Sequence, residues 1–112
     1  MVEEKKPETS KKEDDNVVYI GIKPFMNYVT SVVVLLTTKN KKEVVIKARG
    51  RFITRAVDVA EVARKRFLEK DNIKIKDIKI DSEEFENKDK RMVNVSTIEI
   101  TLSKWFFSLR FF

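Results

Sequence analysis

Short apolar runs with strand character alternate along the chain with longer stretches in which apolar side chains return every third or fourth position. Val17 to Ile22 is a run of the first kind, suited to a buried strand, and Gly21 within it marks a bulge or a close backbone approach. Lys23-Pro24 ends the run. Proline disfavours helix at the residue before it and suits the first helical turn, which predicts a helix from about Pro24 through Met26, Val29, Val33 and Leu36. The stretch Val32 to Leu36 broadens its apolar face, as in a helix packed on more than one side. After a polar turn at Lys39 to Lys42, Glu43 to Ala48 reads as a second strand around Val44, Val45 and Ile46. A second helix is predicted from about Phe52 to Leu68, with Ile53, Ala56, Val57, Ala60, Ala63 and Phe67 at helical spacing.

Two more strands follow. Ile73, Ile75, Ile78 and Ile80 alternate with a phase slip between 75 and 78, and Val93, Val95, Ile98, Ile100 and Leu102 slip in the same way between 95 and 98. A bulge, or a change of buried face, explains either slip. Between them Asp81 to Arg91 is polar and reads as a hairpin arm. The order β-α-β-α-β-β, without internal repeat, predicts an α+β two-layer sandwich. Residues 1–16 contain almost nothing to bury and are expected to form a disordered charged tail; 17–102 form the domain, and 103–112 an aromatic extension.

Charge changes the picture from fold to partner. The 112 residues carry 24 Lys and Arg against 18 Asp and Glu, a net of +6. Met1 to Asn16 holds four lysines and six acids, so the other 96 residues hold 20 bases against 12 acids, a net of +8. A basic domain of this size attracts polyanions. Absence of Cys and His excludes thiol nucleophiles, disulfides, imidazole bases and the usual zinc sites, and no cofactor or metal is expected. No stretch approaches the ~20 apolar residues of a membrane span, and the first residues lack the apolar core of a signal peptide, so a cytoplasmic protein is expected.

The segment with most chemistry is Lys47 to Asp58, Lys-Ala-Arg-Gly-Arg-Phe-Ile-Thr-Arg-Ala-Val-Asp, where a strand gives way to a helix. Gly50 between Arg49 and Arg51 suits a phosphate grip: glycine lets backbone N–H groups approach an anion, the helix start adds its positive end, and guanidinium forks match phosphate oxygens. Lys47 and Arg55 belong to the same candidate surface. Gly50 equally fits an ordinary loop glycine with a solvated basic rim. In the arm, acids at Asp81, Glu83, Glu84 and Glu86 leave Lys88, Lys90 and Arg91 at the tip to attract phosphate. The same acids admit a competing enzyme reading, a nuclease holding magnesium, but no general base or pocket accompanies them.

Several stretches in order resemble the Alba family, the small basic chromatin proteins of archaea: Asn-Val-Val-Tyr-Ile-Gly at 16–21, Lys-Pro-Phe-Met-Asn-Tyr-Val at 23–29, Val-Ile-Lys-Ala-Arg-Gly-Arg at 45–51, Ala-Val-Asp at 56–58, Arg-Phe-Leu at 66–68 and Val-Ser-Thr-Ile-Glu-Ile at 95–100. The resemblance implies a fold like the C-terminal domain of a bacterial translation initiation factor, and a non-enzymatic homodimer. Such a dimer binds double-stranded DNA without sequence preference, compacts the chromosome and also binds RNA. It further implies a nucleic-acid surface at Lys23, at Lys47, Arg49 and Arg51 around Gly50, and at Arg91, with the two arms of the dimer in the minor groove. Phe67 falls where the family joins neighbouring dimers along DNA, although its spacing also fits core packing. An RNA-binding or RNA-chaperone role is the alternative that the same surface permits.

Three departures from the family pattern stand out. Ile22 occupies the position where many members carry an acetylated lysine, leaving Lys23 as the possible acetylation site there. Asp89-Lys90-Arg91 replaces a turn that often reads Asp-Gly-Arg, and losing glycine disfavours a positive φ. Trp105, Phe107, Leu109 and Phe111 extend the chain with one apolar side, expected to lengthen the last strand or cover a partner subunit.

Overall fold

The computed structural model describes residues 15–104. Strands β1 (Val17–Tyr19), β2 (Glu43–Arg49), β3 (Ile73–Glu86) and β4 (Met92–Lys104) form one sheet in the spatial order β1-β2-β4-β3. Helices α1 (Phe25–Leu36) and α2 (Ile53–Val62) pack on one face, giving the expected α+β two-layer architecture. β1 runs parallel to β2 with α1 as the crossover, and β4 is antiparallel to both of its neighbours.

Alternation decides which side chains enter the core. On β2, Val44, Ile46 and Ala48 are buried while Lys47 and Arg49 face the open side. Ile98, Ile100 and Leu102 of β4 join them, facing Val29, Val32 and Leu36 of α1 and Ala56, Val59 and Ala60 of α2. The alanines keep α2 close to the sheet. Pro24 immediately precedes α1 with an extended backbone, and its carbonyl accepts from Asn27 N at 2.9 Å. At the other end Thr37 Oγ1 donates to Val33 O at 2.7 Å.

The two phase slips have different origins. In β3 the register shifts between Ile75 and Asp77, so Lys76 is a bulge. β4 has no such shift; its slip is a change of face, with Val93 and Val95 on the open side and Ile98, Ile100 and Leu102 toward the helices. The arm is more regular than its polar composition suggested, since the strands run out to Glu86 and back from Met92 and leave only residues 87–91 as loop.

The second helix does not continue to Leu68 as one α-helix. α2 ends at Val62, and Ala63–Phe67 form a π turn in which Leu68 N donates to Ala63 O at 2.9 Å. The widened turn rotates the chain end by one position, so that Leu68 is 0% exposed and Phe67 is 50% exposed.

At the N-terminal end, Asn16 belongs with the sheet and not with the tail. Its carbonyl accepts from Val45 N at 2.9 Å and its side-chain amide donates to Glu43 O at 3.0 Å, while Asp15 pairs with Lys41 at 3.1 Å. At the other end β4 carries Ser103 and Lys104 beyond the expected boundary at 102. Residues 1–14 and the aromatic positions Trp105, Phe107, Leu109 and Phe111 lie outside the described residues.

Candidate nucleic-acid interface

Topology gathers three basic elements at one end of the sheet. Because β1 and β2 are parallel and Tyr19 is in register with Lys47, the loops that follow them, Gly21 to Lys23 and Gly50 to Phe52, leave side by side. Arg49 is the last residue of β2 in register with β4, opposite Thr97; beyond that point β3 and β4 continue alone as the arm.

The first element is the turn at Gly50. Its φ is +58°, the left-handed region open to glycine. A Cβ there would meet Val95 Cγ1 only at 3.7 Å, so backbone conformation and not space requires glycine. Arg51 follows, its guanidinium 4.8 Å from the Phe52 ring centroid and without an acidic partner among the described residues. Arg49 donates to Glu83 of the arm at 2.9 Å, both groups largely exposed. Lys47 Nζ lies 3.7 Å from Glu99 and 5.8 Å from the Tyr19 ring centroid. Lys47, Arg49, Gly50 and Arg51 line an open groove of about 730 Å³ on the sheet face away from the helices.

Lys23 is carried by a loop clamped from below. The buried Tyr28 hydroxyl accepts from Gly21 N at 3.0 Å and from Lys23 N at 2.9 Å. Arg55 closes the other side, donating to Gly21 O and, at 2.8 Å, to Lys23 O, with its guanidinium 5.7 Å from the Tyr28 ring centroid. Arg55, expected on the phosphate-binding surface, thus ties its Nη1 to two backbone carbonyls of the loop that displays Lys23, while its Nε and Nη2 make no such bond among the described residues. Gly21 is the close approach the sequence suggested, since a Cβ there would meet the Tyr28 hydroxyl at 3.4 Å.

Lys88, Lys90 and Arg91 sit exposed at the hairpin tip. Asn87 organises the turn: its Oδ1 accepts from Asp89 N at 2.8 Å and Arg91 N at 3.0 Å, and its carbonyl accepts from Lys90 N at 2.9 Å. Lys90 takes the positive φ, 63°, that glycine would adopt without strain. The arm acids divide by face, Asp81 and Glu83 toward the open side and Glu84 and Glu86 away from it. Among the described residues no group of three or more Asp or Glu side chains comes together. Phe67 lies apart from these elements, at the end of α2.

The Alba family model matches residues 16–82, a span containing the two loops and β3 as far as Ser82. The chain belongs to the Alba family. A protein of Methanococcus maripaludis named DNA/RNA-binding protein Alba is 47% identical over 90 residues, which cover 80% of this chain and 99% of that protein. One of the same name from Methanothrix thermoacetophila is 54% identical over 91 residues, covering 81% and 98%. Among solved structures, Alba from Thermoplasma volcanium superposes with a TM-score of 0.73 at 43% identity, covering 80% of this chain and 100% of that one. ALBA1 from Trypanosoma brucei superposes with a TM-score of 0.61 at 26% identity, covering 84% and 74%. These Alba relatives are named for nucleic-acid binding and not for an enzymatic activity.

Two features of this Alba surface escaped the sequence reading. The pairing of Arg49 with Glu83 joins residues 34 positions apart and has no local signal. Tyr19 on the open face was detectable, because it lies out of phase with the buried Val18 and Ile20.

Proposed function

We propose that this Alba protein binds nucleic acid without sequence preference, chiefly as a homodimer that coats double-stranded DNA and compacts the chromosome. The observation that carries this function is the convergence of the Lys23 loop, the Gly50 turn and the arm at one end of the sheet. Arg49 and Arg51 supply guanidinium forks, Gly50 lets the backbone approach a phosphate, and Lys23, Lys47, Lys88, Lys90 and Arg91 add charge. Each phosphate neutralised releases condensed counterions, and no base edge needs to be read.

The second subunit has a matching apolar surface. Ile75, Ile78 and Ile80 stand opposite Leu102, Ile100 and Ile98, on the helix side of the sheet but beyond helix cover, and remain exposed. Two copies burying this stripe would leave both arms free to enter the minor groove. Phe67, turned outward by the π turn, supports a contact between neighbouring dimers. The exposed Lys23 is suited to acetyl control. Since two relatives are named for DNA and RNA, structured RNA is the alternative ligand for the same surface.

If a dimer neutralises about six to eight phosphates, log affinity for duplex DNA falls with log salt at a slope of about −5 to −7. Arg51→Glu should weaken binding to every duplex sequence about equally, measured by fluorescence anisotropy at several salt concentrations. Loss confined to one sequence refutes non-specific binding, and competition between matched duplex and structured RNA ranks the two ligands.

A further inference from the structure

We propose that the open groove beside Gly50 is a site for an unpaired nucleotide, its base stacked on Tyr19 and its phosphate at the Gly50 and Arg51 turn. This rests on the nucleic-acid function above but adds a mode that duplex coating does not use.

Tyr19 is the observation that calls for a role. It is the last residue of the edge strand β1, between buried Val18 and Ile20, yet its ring faces the uncovered side of the sheet and is 59% exposed. The register aligns Tyr19, Lys47 and Glu99 in one row across three strands. The ion pair to Glu99 holds Lys47 beside the ring, so that an aromatic platform and a cation stand together. Gly50 lies three residues beyond Lys47, just past the end of β2 and about 10 Å away at strand rise, a distance the long side chain of Arg51 helps to close. Arg51 is the cation of this groove without an acidic partner among the described residues, and so the one whose charge is free for a phosphate.

Duplex DNA cannot engage such a platform through its bases, because each is already stacked on its neighbours and offers only an edge. A single strand or an unpaired loop presents a free π face, and stacking on an aromatic ring tolerates any base. Tyr28 cannot supply this stacking, because it is buried and its hydroxyl is bonded to two backbone amides. Glu83 and Glu99 also line the groove and repel a second phosphate, which limits the site to one nucleotide.

The test is fluorescence anisotropy with the full chain on single-stranded RNA, single-stranded DNA and duplex DNA of equal length at one salt concentration. Tyr19→Leu keeps apolar bulk on an exposed strand position and removes the ring; Tyr19→Phe keeps the ring. Tyr19→Leu should weaken single-strand binding by about 5- to 150-fold, the range for one stacked base, with duplex affinity changed less than about twofold and Tyr19→Phe close to wild type. Loss on RNA alone would mean that the 2′-hydroxyl contributes; loss on both strands would mean that base and phosphate suffice. Single-strand affinity unchanged by Tyr19→Leu, or weakened equally on duplex, overturns the stacking site while leaving duplex coating intact. Wild-type protein that binds none of the three overturns both.

Discussion

Replacing Glu83 with glutamine removes the carboxylate that holds Arg49 away from any incoming phosphate. The pair is a single contact of 2.9 Å with side chains 62% and 55% exposed, so its own contribution is about 0.2–1 kcal/mol. A phosphate that recruits Arg49 must break it, and that energy is returned to binding once the carboxylate is gone. With one such pair in each subunit of a dimer, the gain is about 0.4–2 kcal/mol, or roughly two- to thirtyfold in duplex affinity. The assay is an anisotropy titration of a random-sequence duplex across a salt series. Glu84→Gln is the control: it removes the same charge from the adjacent residue, which points to the other face of the arm and has no ion-pair partner among the described residues. The expected order of affinity is Glu83→Gln above Glu84→Gln above wild type, with the Glu83→Gln advantage over Glu84→Gln abolished in an Arg49→Gln background. Equal gains from both glutamines, or an undiminished advantage without Arg49, would show that only net charge matters and refute the specific restraint.

Tyr28→Phe deletes the acceptor shared by Gly21 N and Lys23 N and should destabilise the protein by about 1–3 kcal/mol. At ~4–8 °C per kcal/mol for a domain of this size, calorimetry at fixed protein concentration should show a melting point lower by roughly 5–20 °C, whereas a fall under ~2 °C would mean that water replaces the hydroxyl. Phe67→Ala removes a half-exposed ring, so melting should be nearly unchanged while cooperative filling of long DNA, followed by gel shift, is lost. Cooperativity retained at wild-type level would exclude Phe67 from contacts between dimers.

Local order was readable because it depends on period and on a few special residues. Apolar spacing marked both helices, Pro24 marked the start of the first, and the slipped isoleucines of 73–80 marked an irregularity, which strand pairing resolved as a bulge at Lys76. Gly50 could be picked out because tolerance of a positive φ without strain is a property of glycine itself. Helical spacing nevertheless put Phe67 on the apolar face, since periodicity assumes 3.6 residues per turn and the π turn breaks that count. What only the tertiary structure decided depends on pairs distant in the chain. Arg55 became a clamp because β1 and β2 run parallel and bring the Gly21 to Lys23 carbonyls to α2, and Arg49 met Glu83 because the arm begins where β2 ends. Tyr28 and Tyr19 are the same residue type nine positions apart, one buried as a hydrogen-bond acceptor and one open to solvent. A side chain's chemistry is written in the sequence, whereas its partners are set by strand order and register, which distant segments determine together.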